Sequence, residues 1–120
     1  MKNTPREIEQ GMINNNIKLQ NAIEEIPDLV NKKAKAERDY EIALAQETLQ
    51  LKSEGKPTTL IRELAKGNKF VADLKFKANL ATELLKIQYV KLKSFEVAIN
   101  SYQSMHALRR IEYQKAHIVD

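Results

Sequence analysis

Residues 69–115 read KFVADLKFKANLATELLKIQYVKLKSFEVAINSYQSMHALRRIEYQK, a stretch of 47 residues with neither glycine nor proline. Val71, Leu74, Ala78, Ala81, Leu85, Gln88, Leu92, Phe95, Ile99, Tyr102, His106, Arg109 and Tyr113 follow one another at intervals of three and four without a slip. Ten of these thirteen are apolar or Tyr. A heptad seam of this kind keeps one stripe of a helix turned toward a partner. The spacing predicts one helix over about 69–115, roughly 70 Å long at 1.5 Å per residue. Asn68 is a good N-cap for it, and Gly67 is placed to close whatever comes before.

Ahead of that helix, Ser53-Glu54-Gly55-Lys56-Pro57-Thr58-Thr59 carries the clearest loop chemistry in the chain. Gly55 suits a helix stop, Pro57 prevents continuation, and a Thr can cap a short helix over 60–66. The first half also reads as helical. Thr4-Pro5-Arg6-Glu7 is a capping box with Pro at the first helical position, and Ile8, Met12, Leu19, Ile23, Ile26 and Val30 mark a face after it. Gly11 and Asn14-Asn15-Asn16 are poor helix formers, so packing must hold that stretch. Pro27 removes a helical hydrogen bond and crowds the preceding turn, so a kink or short break is expected near it. Past Pro27, Leu29, Ala36, Tyr40, Ala43, Leu44 and Leu51 continue the face.

The resulting expectation is a single all-α domain over 1–120. It is a long antiparallel, coiled-coil-like helical hairpin with an arm over 5–53, a connector over 54–68 and a long helix over 69–115. With the connector folding back on itself, Leu51 falls opposite Ala72, Leu44 opposite Asn79 and Glu37 opposite Lys86. The alternative is a three-helix bundle that reverses at Pro27. Against it, Ile26-Pro27-Asp28 supplies no Gly and very little loop.

The totals agree with helices. Three Gly, three Pro and no Cys leave too few turn formers for the corners of a β-rich fold, and no disulfide or thiolate metal site. No long apolar run spans a membrane, and the first residues lack the apolar core of a signal peptide, so the chain reads as cytoplasmic. Residues 1–60 carry nine Lys/Arg against ten Asp/Glu, and residues 61–120 carry eleven against six. The simpler reading of that imbalance is pairing between the two halves of the chain; an acidic partner or nucleic acid is the other.

One seam per helix is a thin core for 120 residues. A second apolar row, Phe76, Leu80, Ile87, Val90 and Val97, runs along the far side of the long helix and needs a cover. A homodimer forming a four-helix bundle is the first expectation, and a different protein partner the second. The candidate partner-binding residues are therefore Lys56, Lys66, Lys69 and Phe70 around the connector, together with that row. Gln88, His106 and Arg109 are polar positions on the seam and read as a register-fixing layer.

Catalysis has no visible home. His106 and His117 lie about 16 Å apart along one helix, too far to share a metal. Gly55-Lys56-Pro57-Thr58 lacks the upstream glycine of a phosphate loop. Lys32, Lys33 and Lys35 before Glu37, Asp39 and Glu41 read as a solvated salt-bridge face. No cofactor is implied. Lys66, Lys69, Lys75, Lys77, Lys86, Lys91 and Lys93, with Phe70, Phe76 and Tyr89 among them, keep nucleic-acid binding open, although they scatter around the helix rather than forming one track.

Glu37-Arg38-Asp39-Tyr40, then Leu51-Lys52-Ser53-Glu54-Gly55-Lys56-Pro57-Thr58-Thr59-Leu60-Ile61 and Gly67, resembles a pattern in small helical accessory proteins of phages and prophages of low-GC Gram-positive bacteria. The similarity covers roughly 28–110. It implies a phage accessory protein from a replication or recombination gene cluster, of a kind that acts as an inhibitor by binding and blocking a host enzyme, with no catalytic residues to carry over.

Overall fold

The computed structural model describes residues 4–118, and among them there are three helices and no strand. Helix α1 spans Pro5–Ser53, α2 Thr58–Gly67 and α3 Lys69–Ile118. The fold is an all-α helical hairpin.

The start of α1 is the capping box in full. The Glu7 amide donates to Thr4 Oγ1 at 3.2 Å, and the Thr4 amide donates to Glu7 Oε2 at 3.0 Å. Each hydrogen bond satisfies an amide that the first turn would leave without a partner. Helix α1 then runs through Pro27 without the expected break, so the chain does not reverse there and the three-helix alternative falls away. Proline has no N–H, so the Ile23 carbonyl lacks its donor within the helix. Ile23 and Pro27 are both exposed, which leaves that carbonyl to water.

The reversal is confined to Glu54–Pro57. Gly55 holds φ at 74°, the left-handed conformation that a residue without Cβ adopts at little cost. The Gly55 and Lys56 amides donate back to the carbonyls of Lys52 and Leu51. Helix α2 begins at Thr58, earlier than the sequence suggested, and no Thr side chain caps it. Pro57 occupies the cap position, with its carbonyl accepting from the Leu60 amide at 2.9 Å. Nor does Gly67 close α2. It is the last helical residue, and the interruption is Asn68 alone, whose ψ of 129° takes the backbone out of the helix. Asn68 then caps α3, its Oδ1 accepting from the Val71 amide at 3.1 Å.

Two compact units share these helices. One takes Ile26–Ile87. Leu51, Ile61 and Ala65 form its buried cluster, with Leu44 packed against them, and Ala43, Val71 and Ala78 are buried as well. Tyr40 accepts Lys75 over its ring at 4.8 Å from the centroid. The register therefore differs from the expectation: Leu51 meets Ile61 and Ala65, not Ala72. The expected pairing places α2 within the connector, whereas α2 packs against the end of α1. Its ten residues account for the offset.

The other unit takes α1 up to Glu25 with α3 from Gln88. Ile8, Ala22, Gln88 and Ile99 are buried in it. Gly11 lies against the ring of Tyr102, closely enough that a Cβ there would sit 2.6 Å from Cε1 and 2.9 Å from Cε2. That contact explains a glycine in mid-helix. Packing against the ring, not helix propensity, selects it.

Candidate functional site

The seam of α3 is placed as its spacing predicts over most of its length. Eleven of the thirteen positions are buried or half-buried, from Val71 through Tyr102 and again at Arg109. His106 is the departure that matters: it is exposed, while Met105, one residue earlier, is half-buried. A thioether packs where an imidazole would have to lose its water. The polar layer drawn from the sequence thus contains Gln88, with Arg109 half-buried, but not His106.

Gln88 is only 5% exposed. Its side-chain amide nitrogen donates to the Ala22 carbonyl at 2.9 Å and to Glu25 Oε2 at 3.0 Å, so both protons are used. No buried side-chain nitrogen or oxygen among the described residues lacks a partner. A two-pronged contact to a main-chain carbonyl and a carboxylate is a positional lock, because sliding either helix by one residue breaks both bonds.

The candidate partner-binding residues all stand in solvent. Phe76 and Val90 are each 69% exposed and Phe70 is 65% exposed. Leu80, Ile87, Val97, Lys56, Lys66 and Lys69 are exposed too. Within the Ile26–Ile87 unit, Phe70 borders three depressions. One, of about 260 Å³, lies between helices, lined by Asp39, Ile42, Ala43, Gln46, Phe70 and Leu74. A second adds Glu47 and Gln50 from α1 beside Asn68 and Val71. The third, about 430 Å³, runs along α3 past Phe70, Asp73, Leu74, Phe76, Lys77 and Leu80. The groove at Phe70 was not visible in the sequence as a groove. Finding it needs the register, which puts Ile42 and Ala43 of α1 beside Phe70.

The charges are not arranged as the simpler sequence reading had them. The four ion pairs among the described residues, Lys33–Glu37, Arg38–Asp39, Lys86–Glu83 and Lys93–Glu96, each join neighbours within one helix. The excess of Lys and Arg in the second half is not neutralised by pairing to α1. Lys66, Lys69 and Lys77 have no ion-pair partner among the described residues.

Among the described residues, no group of three His, Asp or Glu could hold a metal ion. No helix there is long and apolar enough to cross a membrane. No family model, curated protein or solved structure matches the chain.

Proposed function

We propose that this protein is a non-enzymatic interaction module whose working surface is the exposed apolar row of α3 together with Lys56, Lys66 and Lys69. One observation carries the reading. In the Ile26–Ile87 unit, ten large apolar side chains are exposed, while Leu51, Ile61 and Val71 are the only ones larger than Ala that are buried. Single exposed apolar residues are ordinary, but a row of them along one helix is the mark of a surface that another protein covers. Phe76, Leu80 and Ile87, continued along α3 by Val90 and Val97, supply the apolar contact. Lys56, Lys66 and Lys69 favour a partner with an acidic rim. The resemblance at the connector adds that the partner is a host or phage protein in the cytoplasm of the producing cell.

Photo-crosslinking from Val90 and Phe76 in producing cells tests this. The expected result is an adduct with a second protein, lost when Lys56, Lys66 and Lys69 are all changed to Glu while helicity is unchanged. Folded protein that yields no such adduct from either position overturns it.

The unpaired lysines favour one second reading, contact with a nucleic-acid backbone. Such binding weakens steeply with added salt, with a slope near −0.7 per phosphate contact on single strands. A gel shift absent at low salt removes it.

A further inference from the structure

The outer row of α3 repeats the periodicity of the seam. Phe76, Leu80, Glu83, Ile87, Val90, Ser94 and Val97 follow at alternating intervals of four and three, and all are exposed. Each stands two residues after a seam position, about half a turn away: Leu80 follows buried Ala78, and Val90 follows buried Gln88. A stripe that keeps this spacing over three heptads is tracked by another helix through knobs-into-holes packing. An extended strand, with its two-residue period, meets it out of step. The positions that border the stripe are basic. Lys77, Leu84 and Lys91 stand on one side of it, and Asn79, Lys86 and Lys93 on the other, all exposed. None of these six is acidic. Lys86 and Lys93 reach acids of the same helix, Glu83 at 3.3 Å and Glu96 at 4.0 Å. Lys77 and Lys91 have no ion-pair partner among the described residues. Lys18 of α1 adds positive charge beside Lys91, and the Glu25 carboxylate there already accepts from Gln88.

We propose that the occupant of this stripe is an amphipathic α-helix of another protein, one whose own apolar heptads are flanked by Glu and Asp. This inference rests on the proposed interaction surface and names what covers it. The flanking positions of a coiled coil form the interhelical ion pairs that choose the partner. Acidic residues there answer Lys77, Lys86, Lys91 and Lys93 together, and the apolar heptads meet Phe76, Leu80, Ile87, Val90 and Val97. A second copy of the stripe does not fit. Two such helices running parallel bring opposite flanks together, and two running antiparallel bring like flanks together. Both flanks are basic here, so either arrangement sets lysine against lysine. The stripe therefore selects a different, acidic helix over itself.

Fluorescence anisotropy with the full chain and two labelled 28-residue peptides tests it. Both peptides carry Leu and Ile at the apolar heptad positions; one has Glu at both flanks and the other Lys. Like charges keep each peptide from pairing with itself. The Glu-flanked peptide binds about 30-fold tighter than the Lys-flanked one, the contrast expected when opposite charges replace like ones. Changing Lys77 and Lys91 together to Glu reduces that preference about tenfold. Val90→Asp abolishes the binding. Far-UV helicity equal to wild type shows that each variant is folded, which exposed positions permit. Equal binding of the two peptides, no binding of the Glu-flanked one at 100 μM, or a 20-nucleotide oligo(dT) strand bound as tightly overturns the proposal. So does self-association of the chain, followed by sedimentation equilibrium, that Val90→Asp dissociates. A protein adduct from Val90 in producing cells without peptide binding refutes the acidic helix and leaves the row as a protein surface, so the two readings fail separately.

Discussion

Replacing Gly11 with Ala should destabilise the protein, although the same change in an ordinary helix interior stabilises it. Alanine is better than glycine by about 0.8–1.0 kcal/mol per residue in a helix. Here the added methyl carbon would lie 2.6 and 2.9 Å from Cε1 and Cε2 of Tyr102, and closer still to Cζ. Carbon atoms pack at about 3.5–4.0 Å, so the ring must retreat by about 1 Å or leave its place. Overpacking of this kind costs about 1–3 kcal/mol. The two terms oppose each other, and the clash wins by about 1 kcal/mol. Removing the ring reverses the sign: in a Tyr102→Ala background, Gly11→Ala should stabilise by the full propensity gain, about 1 kcal/mol. The coupling between the sites is then about 2 kcal/mol, well above the few tenths by which independent sites fail to add. Urea unfolding followed by helical circular dichroism measures all four proteins, at one fixed protein concentration because association shifts apparent stability. Equal effects of Gly11→Ala in both backgrounds would show that the ring does not lie on Gly11.

Gln88→Leu keeps a buried side chain of similar volume and removes the donor, while the exposed Glu25 carboxylate turns to water, so stability should change by less than about 1 kcal/mol. Gln88→Ala leaves a gap in the seam and should cost about 1–2 kcal/mol; a larger loss for Leu than for Ala in a thermal melt would argue against this account. Pro27→Ala returns an amide to the Ile23 carbonyl within an unbroken α1 and should raise unfolding free energy by about 1–3 kcal/mol, whereas a native turn at Pro27 would make the same change destabilising. Gly55→Ala places a Cβ at φ 74° and should cost about 1–2 kcal/mol, with Gly55→Asn milder; denaturation midpoints that do not move would show that the reversal does not use the left-handed conformation.

What the sequence showed and what it hid divide along physical lines. The α3 seam was legible because periodicity depends only on which residues face a partner, and a stretch without Gly or Pro has no competing structure. The capping box at Thr4 was legible because its two hydrogen bonds join residues three apart. Register was not, since nothing local states which residue of one helix meets which of the other. Treating α2 as connector shifted the pairing by that helix's length, because a short helix bounded by Pro57 and Gly67 looks the same in sequence whether it caps the hairpin or packs along it. His106 was misplaced for a related reason. Heptad spacing fixes a stripe to within one residue, and the choice between Met105 and His106 is made by the cost of burying an imidazole. Gln88 could be picked out as a polar residue on an apolar seam, but its partners, Ala22 and Glu25, are more than sixty residues away in sequence. The Phe70 groove inherits the same dependence on register.

The chain reverses within Glu54–Pro57, so that α2 is already packed against the end of α1, and the register of the hairpin follows from that reversal. Nuclear Overhauser contacts from the Leu51 methyl groups test this most directly. Cross-peaks from Leu51 to the methyl groups of Ile61 and Ala65 are predicted. Cross-peaks from Leu51 to the Ala72 methyl in their place would contradict it.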